Sequence, residues 1–265
     1  MLTAMILYCV LGAVAGLLAG LLGIGGGAVV VPMLVFAFQW LNIPQDVAMH
    51  MAIGTSLGSI MFTAVSSALA HHRHGSVDWN VFRGIALGIL VGTYGGSFIA
   101  ARIPARYLQM FFVVFLYYVA TNMLLNKKPA ASRTLPGFAG MTGAGLFIGA
   151  ISSLVGIGGG TLSVPFLVWH NVDMRRAVGT SAAIGFPIAF AGCIGFICNG
   201  WNTPGLPEYS LGFVYLPALA GIVAISMLTA PLGAGIAHKL PVPKLKKFFA
   251  CFLYVIATKM LLDVL

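Results

Sequence analysis

Two glycine runs, Gly25-Gly26-Gly27 and Gly158-Gly159-Gly160, lie within strongly apolar stretches, and each is followed by a proline, Pro32 or Pro165. Glycine gives up the most backbone freedom on ordering and proline lacks an N–H, so both interrupt a helix. An interrupted helix leaves the amides of a new N-terminus without intrahelical acceptors, and these attract anions together with the helix dipole. If Ala28 and Thr161 open the next helices, the amides of both glycine runs become free donors of this kind. The alternative is close packing, since small residues let membrane helices approach. A second set of groups, Thr55-Ser56 and Thr180-Ser181, begins the apolar span after each run. Their hydroxyls suit neutral donation to a substrate oxyanion, or else bond within and between helices. The expected substrate-binding set is Gly25, Gly26, Gly27, Thr55, Ser56, Gly158, Gly159, Gly160, Thr180 and Ser181.

Other chemistry fits poorly. Gly23, Gly25 and Ala28 satisfy a dinucleotide fingerprint, but that motif needs a preceding strand, and a membrane-length apolar run precedes it here. His71-His72-Arg73-His74 are consecutive and point in different directions on a helix end, with no cysteine or carboxylate cluster beside them. They read as a basic membrane flank. His50, alone between two methionines near the start of a span, reads as interfacial, with gating or proton relay as the alternative. The four cysteines (Cys9, Cys193, Cys198, Cys251) all lie in apolar segments without CxxC spacing, and read as packing residues. No nucleophile with a base and no HExxH pair is present, so the expectation is no enzyme, no catalytic residues, no metal and no cofactor. The five acids, Asp46, Asp78, Asp173, Glu208 and Asp263, fall in loops or near span ends. Carriers of protons or cations usually hold a carboxylate at depth, so this placement suits an anion path.

The elements that must position these groups are apolar runs. The chain is 60% hydrophobic and 7% charged, with a mean hydropathy of +1.01, against about 25% charged in soluble domains. Eight runs are near the length needed to cross a bilayer: 2–22, 47–70, 81–101, 108–125, 138–155, 177–198, 211–237 and 248–262. Two more, 29–38 and 162–169, are too short to cross and follow the glycine runs. The first run is not expected to be a cleaved signal peptide, because no Lys or Arg precedes it and a related segment recurs mid-chain. The formal charge of +9 comes from basic residues clustered at span ends, the signature of membrane flanks and not of nucleic-acid binding.

The pattern occurs twice. LLGIGGGAVVVPML (21–34) matches LVGIGGGTLSVPFL (154–167) at nine of fourteen positions, and residues 99–125 match 236–262 at fourteen of 27. The chain therefore divides into a first membrane repeat (1–125), a basic linker (126–136) and a second membrane repeat (137–265). Each repeat holds a glycine-broken re-entrant or discontinuous helix and three full spans. Placing Arg73, Arg83, Lys127, Lys128, Arg133, Arg175, Arg176, Lys239, Lys244, Lys246 and Lys247 in the cytoplasm requires the two repeats to be inverted, with Arg102 and Arg106 outside. The expected fold is an all-α integral membrane protein of two inverted repeats, an arrangement common among secondary transporters.

The doubled GIGGG…VP, the A-x-G-T-S at 52–56 and 177–181, the HHRHGSVDW loop (71–79) and the I-A-x-x-x-P turns at 99–104 and 236–241 resemble the TauE/SafE family of sulfite exporter-like transporters. The resemblance covers nearly the whole chain and suits a small bacterial member. It implies a multi-pass protein of the bacterial inner membrane that exports a small, often sulfur-containing anion such as sulfite or an organosulfonate. Its partners would be that anion and the lipid bilayer, and the oligomeric state stays open. The alternative is a non-transporting membrane subunit that scaffolds an enzyme, although the polar stretches here are too short for a docking domain.

Overall fold

Both glycine runs break the helix, and each new helix opens one residue earlier than expected. In the computed structural model, which describes residues 2–22, 26–125, 134–237 and 242–264, the short helices begin at Gly27 and Gly160 and not at Ala28 and Thr161. The reason is conformational. Gly26 (φ 73°) and Gly159 (φ 76°) adopt the left-handed region as N-caps, so the next residue can already be helical. The upstream helix of the second break ends in the same way, at Gly156 (φ 71°).

The helices are α1 (Leu2–Leu22), α2 (Gly27–Trp40), α3 (Gln45–Arg73), α4 (Trp79–Arg102) and α5 (Ala105–Leu125) from the first repeat. The second supplies α6 (Phe138–Val155), α7 (Gly160–Trp169), α8 (Met174–Gly200), α9 (Leu216–Ala237) and α10 (Val242–Leu262). Among the described residues, α3, α4, α5, α6 and α8 are long and apolar enough to cross a membrane. Residues 126–133 of the expected linker lie outside the described residues. The short helices span about 21 Å (α2) and 15 Å (α7) at 1.5 Å per residue, so neither crosses a bilayer. Each ends in a repeated W-x-N: Asn42 (φ 57°) and Asn171 (φ 62°) take the left-handed conformation that asparagine tolerates. The chain then turns back into α3 or α8.

One expectation needs correction. The run from Leu211 begins as a two-stranded hairpin, β1 (Ser210–Leu211) and β2 (Val214–Tyr215), and the helix starts only at Leu216. Gly212 (φ 56°) makes the turn, where a side chain would collide with the Ile197 carbonyl. Phe213 inserts beneath it, its N–H donating to Phe196 O at 3.2 Å.

The repeats interlock. α1 packs along α9, and α6 along α4, so each pair takes one helix from each repeat. Both pairs are parallel: Gly12 lies by Ile222 and Gly16 by Ser226, while Gly84 lies by Met141, Gly92 by Leu146 and Gly96 by Ala150. The central pair, α3 and α8, is antiparallel, with Gly54 against Phe196, Leu57 against Gly192 and Ala64 against Gly185. α5 and α10 are antiparallel too, joined by Tyr117 Oη to Thr258 Oγ1 (2.9 Å) and Thr121 Oγ1 to Tyr254 Oη (2.6 Å). Each threonine also donates to the carbonyl four residues back, Tyr117 O or Tyr254 O, leaving the tyrosine hydroxyls as donors across the pair. The core runs through all of this, from Tyr8 and Val31 to Leu253 and Met260.

Candidate functional site

The two breaks meet. A Cβ on Gly27 would lie 2.6 Å from Gly156 O and 2.9 Å from Ile157 Cα, so the first residue of α2 rests against the second break with no side chain between. Around this contact the wall is apolar. Ile60 faces Gly27 and Gly158, Val31 and Ile53 face Gly156, and Ile184 and Ile188 face Gly159. The first two amides of α2 and of α7 have no acceptor one turn back in their own helix, as at any helix start. The acceptors in the break are better served: Gly26 O takes Val29 N (2.9 Å) and Val30 N (3.0 Å), and Gly159 O takes Leu162 N (3.0 Å) and Ser163 N (2.8 Å).

Of the expected site residues, Gly26, Gly27, Ser56, Gly158, Gly159, Gly160 and Ser181 are brought around this meeting point. Gly25 lies outside the described residues. Ser56 donates to Gly156 O at 2.9 Å, reaching across to the other repeat. Ser181 is 2.7 Å from Ser163, whose own hydroxyl donates to Gly159 O at 2.8 Å. Ser181 is therefore the donor of that pair, and the two form a short relay onto the break. Ser163 was missed in the sequence reading. Its counterpart in the first repeat is Val30, so repetition, the signal that found the other residues, passes over it.

Thr55 and Thr180 are placed differently. Thr55 Oγ1 accepts Tyr215 N–H at 3.0 Å and Thr180 Oγ1 accepts Asp78 N–H at 2.9 Å. Both threonines are fully buried. Each holds the segment leading into α9 or α4, and each keeps its own proton to donate. Beside Thr55, Tyr215 stacks edge-on against Tyr8 (6.0 Å) and Phe38 (5.9 Å).

The remaining candidates sit at the ends of the bundle. His50 is buried, its Nε2 within 3.1 Å of Ala100 O and 3.0 Å of Ile103 O and its ring stacked on Phe213 at 5.1 Å. It ties the α4–α5 corner to the hairpin. His72 Nδ1 accepts Trp79 Nε1–H at 3.2 Å in the last turn of α3. Asp78 and Asp173 cap α4 and α8, Asp46 opens α3, and Glu208 and Asp263 lie outside helices, so no acid of the sequence lies mid-helix.

A bundle of membrane-length helices interrupted at its centre by two facing breaks is the architecture of a multi-pass membrane transporter. Comparison with known proteins places it more closely. Residues 8–260 match the family described as sulfite exporter TauE/SafE, and the chain belongs to that family. It is 40% identical over 264 residues to a "Probable membrane transporter protein" of Haemophilus influenzae, covering 99% of this chain and all of the relative. A relative of the same description in Methanocaldococcus jannaschii is 30% identical over 262 residues, covering 97% and 95% of the two chains. One from Bacillus subtilis is 28% identical over 240 residues, covering 87% and 89%. No solved structure matches. The family and these relatives are described as membrane transporters.

The threonine contacts make a direct prediction. Thr55→Val or Thr180→Val leaves a partly buried amide without its acceptor, a cost of about 1 kcal/mol each. Both variants should melt earlier than the parent protein in detergent, while Thr55→Ser and Thr180→Ser should melt with it. Valine variants as stable as the parent would remove the hydroxyls from this role.

Proposed function

We propose that this protein exports a small anion, of the sulfite or organosulfonate class, from the cytoplasm across the bacterial inner membrane. The observation that carries the proposal is the contact between the breaks. It brings the first residue of α2 against Gly156 and Ile157, three residues before α7 opens, which supports a reading in which the positive ends of both helix dipoles act on one anion. The anion would be held by the backbone of Gly25–Gly27 and Gly158–Gly160, with Ser56, Ser181, Thr55 and Thr180 as neutral donors. The sulfur-containing class is favoured by the description of the family. The lack of a carboxylate within the spans agrees with an anion path.

We further propose that the repeats are inverted. The supporting facts are that α3 and α8, the equivalent helices that carry Gly-Thr-Ser, run antiparallel, and that α5 and α10 do so as well. Arg73, Arg83, Arg175 and Arg176 gather at one end, where Asp78 meets Thr180. The positive-inside rule assigns that end to the cytoplasm. The two short helices then enter from opposite faces and meet near the midplane.

Single cysteines at Arg106 and Lys247, both exposed, test this in a background without the native four. An impermeant thiol reagent applied from outside should label Arg106→Cys and spare Lys247→Cys. Equal labelling would favour parallel repeats.

A negative-inside potential drives an anion outward by about 2.3 kcal/mol per charge per 100 mV, so export needs no coupling ion. In proteoliposomes offered sulfite, thiosulfate, sulfoacetate and sulfate, flux of the preferred anion should rise with a potassium–valinomycin potential at zero pH gradient. Gly26→Val and Gly159→Val, which force a β-branched residue into the left-handed region, should abolish it at normal expression. Flux that ignores the potential and follows a pH gradient would overturn uncoupled export.

A further inference from the structure

We infer that the bodies which move during transport are the cross-repeat pairs α1–α9 and α4–α6, and that the conformational change runs along the α3–α8 seam. This rests on the transport reading above and goes beyond it, because the simplest rocking mechanism would move one sequence repeat against the other.

The inference comes from what fills the space beside each glycine. Along α4–α6 it is mostly backbone. Cβ atoms on Gly88 and Gly92 would collide with the carbonyl oxygens of Thr142 and Leu146, and one on Gly96 would lie against the Ser153 hydroxyl and 2.9 Å from Ala150 Cα. From the other side, Gly145 abuts Ile85 O, and Gly149 lies 2.6 Å from Ile89 O and 2.8 Å from Thr93 N. The α1–α9 pair repeats this, with Gly12 2.8 Å from Ile222 O and Gly16 2.6 Å from Ser226 Cα. Backbone meets backbone over several turns, with Met141, Ser153 and Thr229 the side chains beside Gly84, Gly96 and Gly16, and a close-packed contact has discrete fits and no continuous slide. Each pair is a rigid unit.

Along α3–α8 the two helices meet through side chains. Gly192 meets Leu57 Cδ1 at 2.7 Å, Gly185 meets Ala64 Cβ at 3.5 Å beside the nearer Gly158 carbonyl at 3.2 Å, and Gly58 meets Cys193 Sγ at 3.7 Å with Leu219 of α9 nearer at 3.2 Å. Side chains repack among rotamers, which is how packed helices shear by small steps. The seam also carries the hydroxyl contacts of Ser56 and Ser181 onto the second break, so movement there would alter the proposed anion site directly. Hinges are present between seam and arms. Gly75, in the turn from α3 to α4, and Gly205, between α8 and the hairpin, have φ of +64° and +80° and no atom within 4 Å of a Cβ position.

Two disulfides test the inference in protein lacking its native cysteines. Gly84→Cys with Met141→Cys staples α4 to α6, and Ala64→Cys with Gly185→Cys staples α3 to α8; in both, the Cβ positions are 3.5 Å apart, within the range a disulfide spans. Oxidation of the first pair should leave anion flux within twofold of the reduced protein. Oxidation of the second should lower flux at least tenfold, and reduction should restore it. Block by the first staple, or free transport through the second, would overturn the inference. If reduced protein shows no flux with any anion, the substrate reading fails by itself. Spin labels on the exposed residues Leu87 and Phe147 (α4 and α6), and on Phe62 and Phe190 (α3 and α8), then decide the question in nanodiscs. One narrow distance for the first pair and two for the second supports it. Equal behaviour of the two pairs contradicts it.

Discussion

The contact on which the rest of the structure depends is backbone against backbone: Gly27 resting on the carbonyl of Gly156. In hydrocarbon every amide and carbonyl needs a partner, and irregular backbone survives only where protein or a wet cavity supplies one. A broken helix cannot face lipid, so each break must be enclosed, and here the second is covered by Gly27 and Val31 of α2 and by Ile53, Ile60, Ile184 and Ile188. Only glycine permits so close an approach and also supplies the left-handed turns at Gly26 and Gly159. The length of α7, the return of the chain through W-x-N, and the antiparallel α3–α8 pair all follow from bringing two half-length helices to one point.

The chain is built from a repeat, but its two copies differ in sequence at the breaks. Among the described residues, which leave out 23–25, two hydroxyl groups reach the second break: Ser56 bonds Gly156 O, and Ser181 acts through Ser163 on Gly159 O. In the first repeat Val30 stands where Ser163 does in the second, and Ala28 where Thr161 does. The first short helix is accordingly buried along its length in apolar contact, with ten residues from Gly27 to Phe38 buried, whereas in α7 only Ser163 and Leu167 are.

Much of this was legible in the sequence because lipid leaves a chain few choices. Long apolar runs had to be helices, the doubled glycine–proline blocks had to be breaks, and the ends of most spans moved by only a few residues. What escaped detection had a physical cause in each case. The hairpin at 210–215 hides in an apolar stretch, since LGFVYL continues the hydropathy of α9 and only Gly212 marks the turn. The pairing of α1 with α9 and α4 with α6 depends on glycine spacing that reads equally as loose composition until the partner helix is known. Thr55 and Thr180 were recognised as a matched pair, but their bonds to Tyr215 N and Asp78 N join residues 160 and 102 positions apart, beyond what any local pattern encodes.

The central claim is that an anion is held by the backbone of the two breaks. Amide hydrogen exchange, followed by mass spectrometry with and without a transported anion at matched ionic strength, tests it most directly. The account predicts slowed exchange in peptides covering 24–30 and 157–163 together, saturating with anion concentration and absent with a non-transported anion. Saturating flux accompanied by unchanged exchange in both peptides would contradict it and place the anion elsewhere in the bundle.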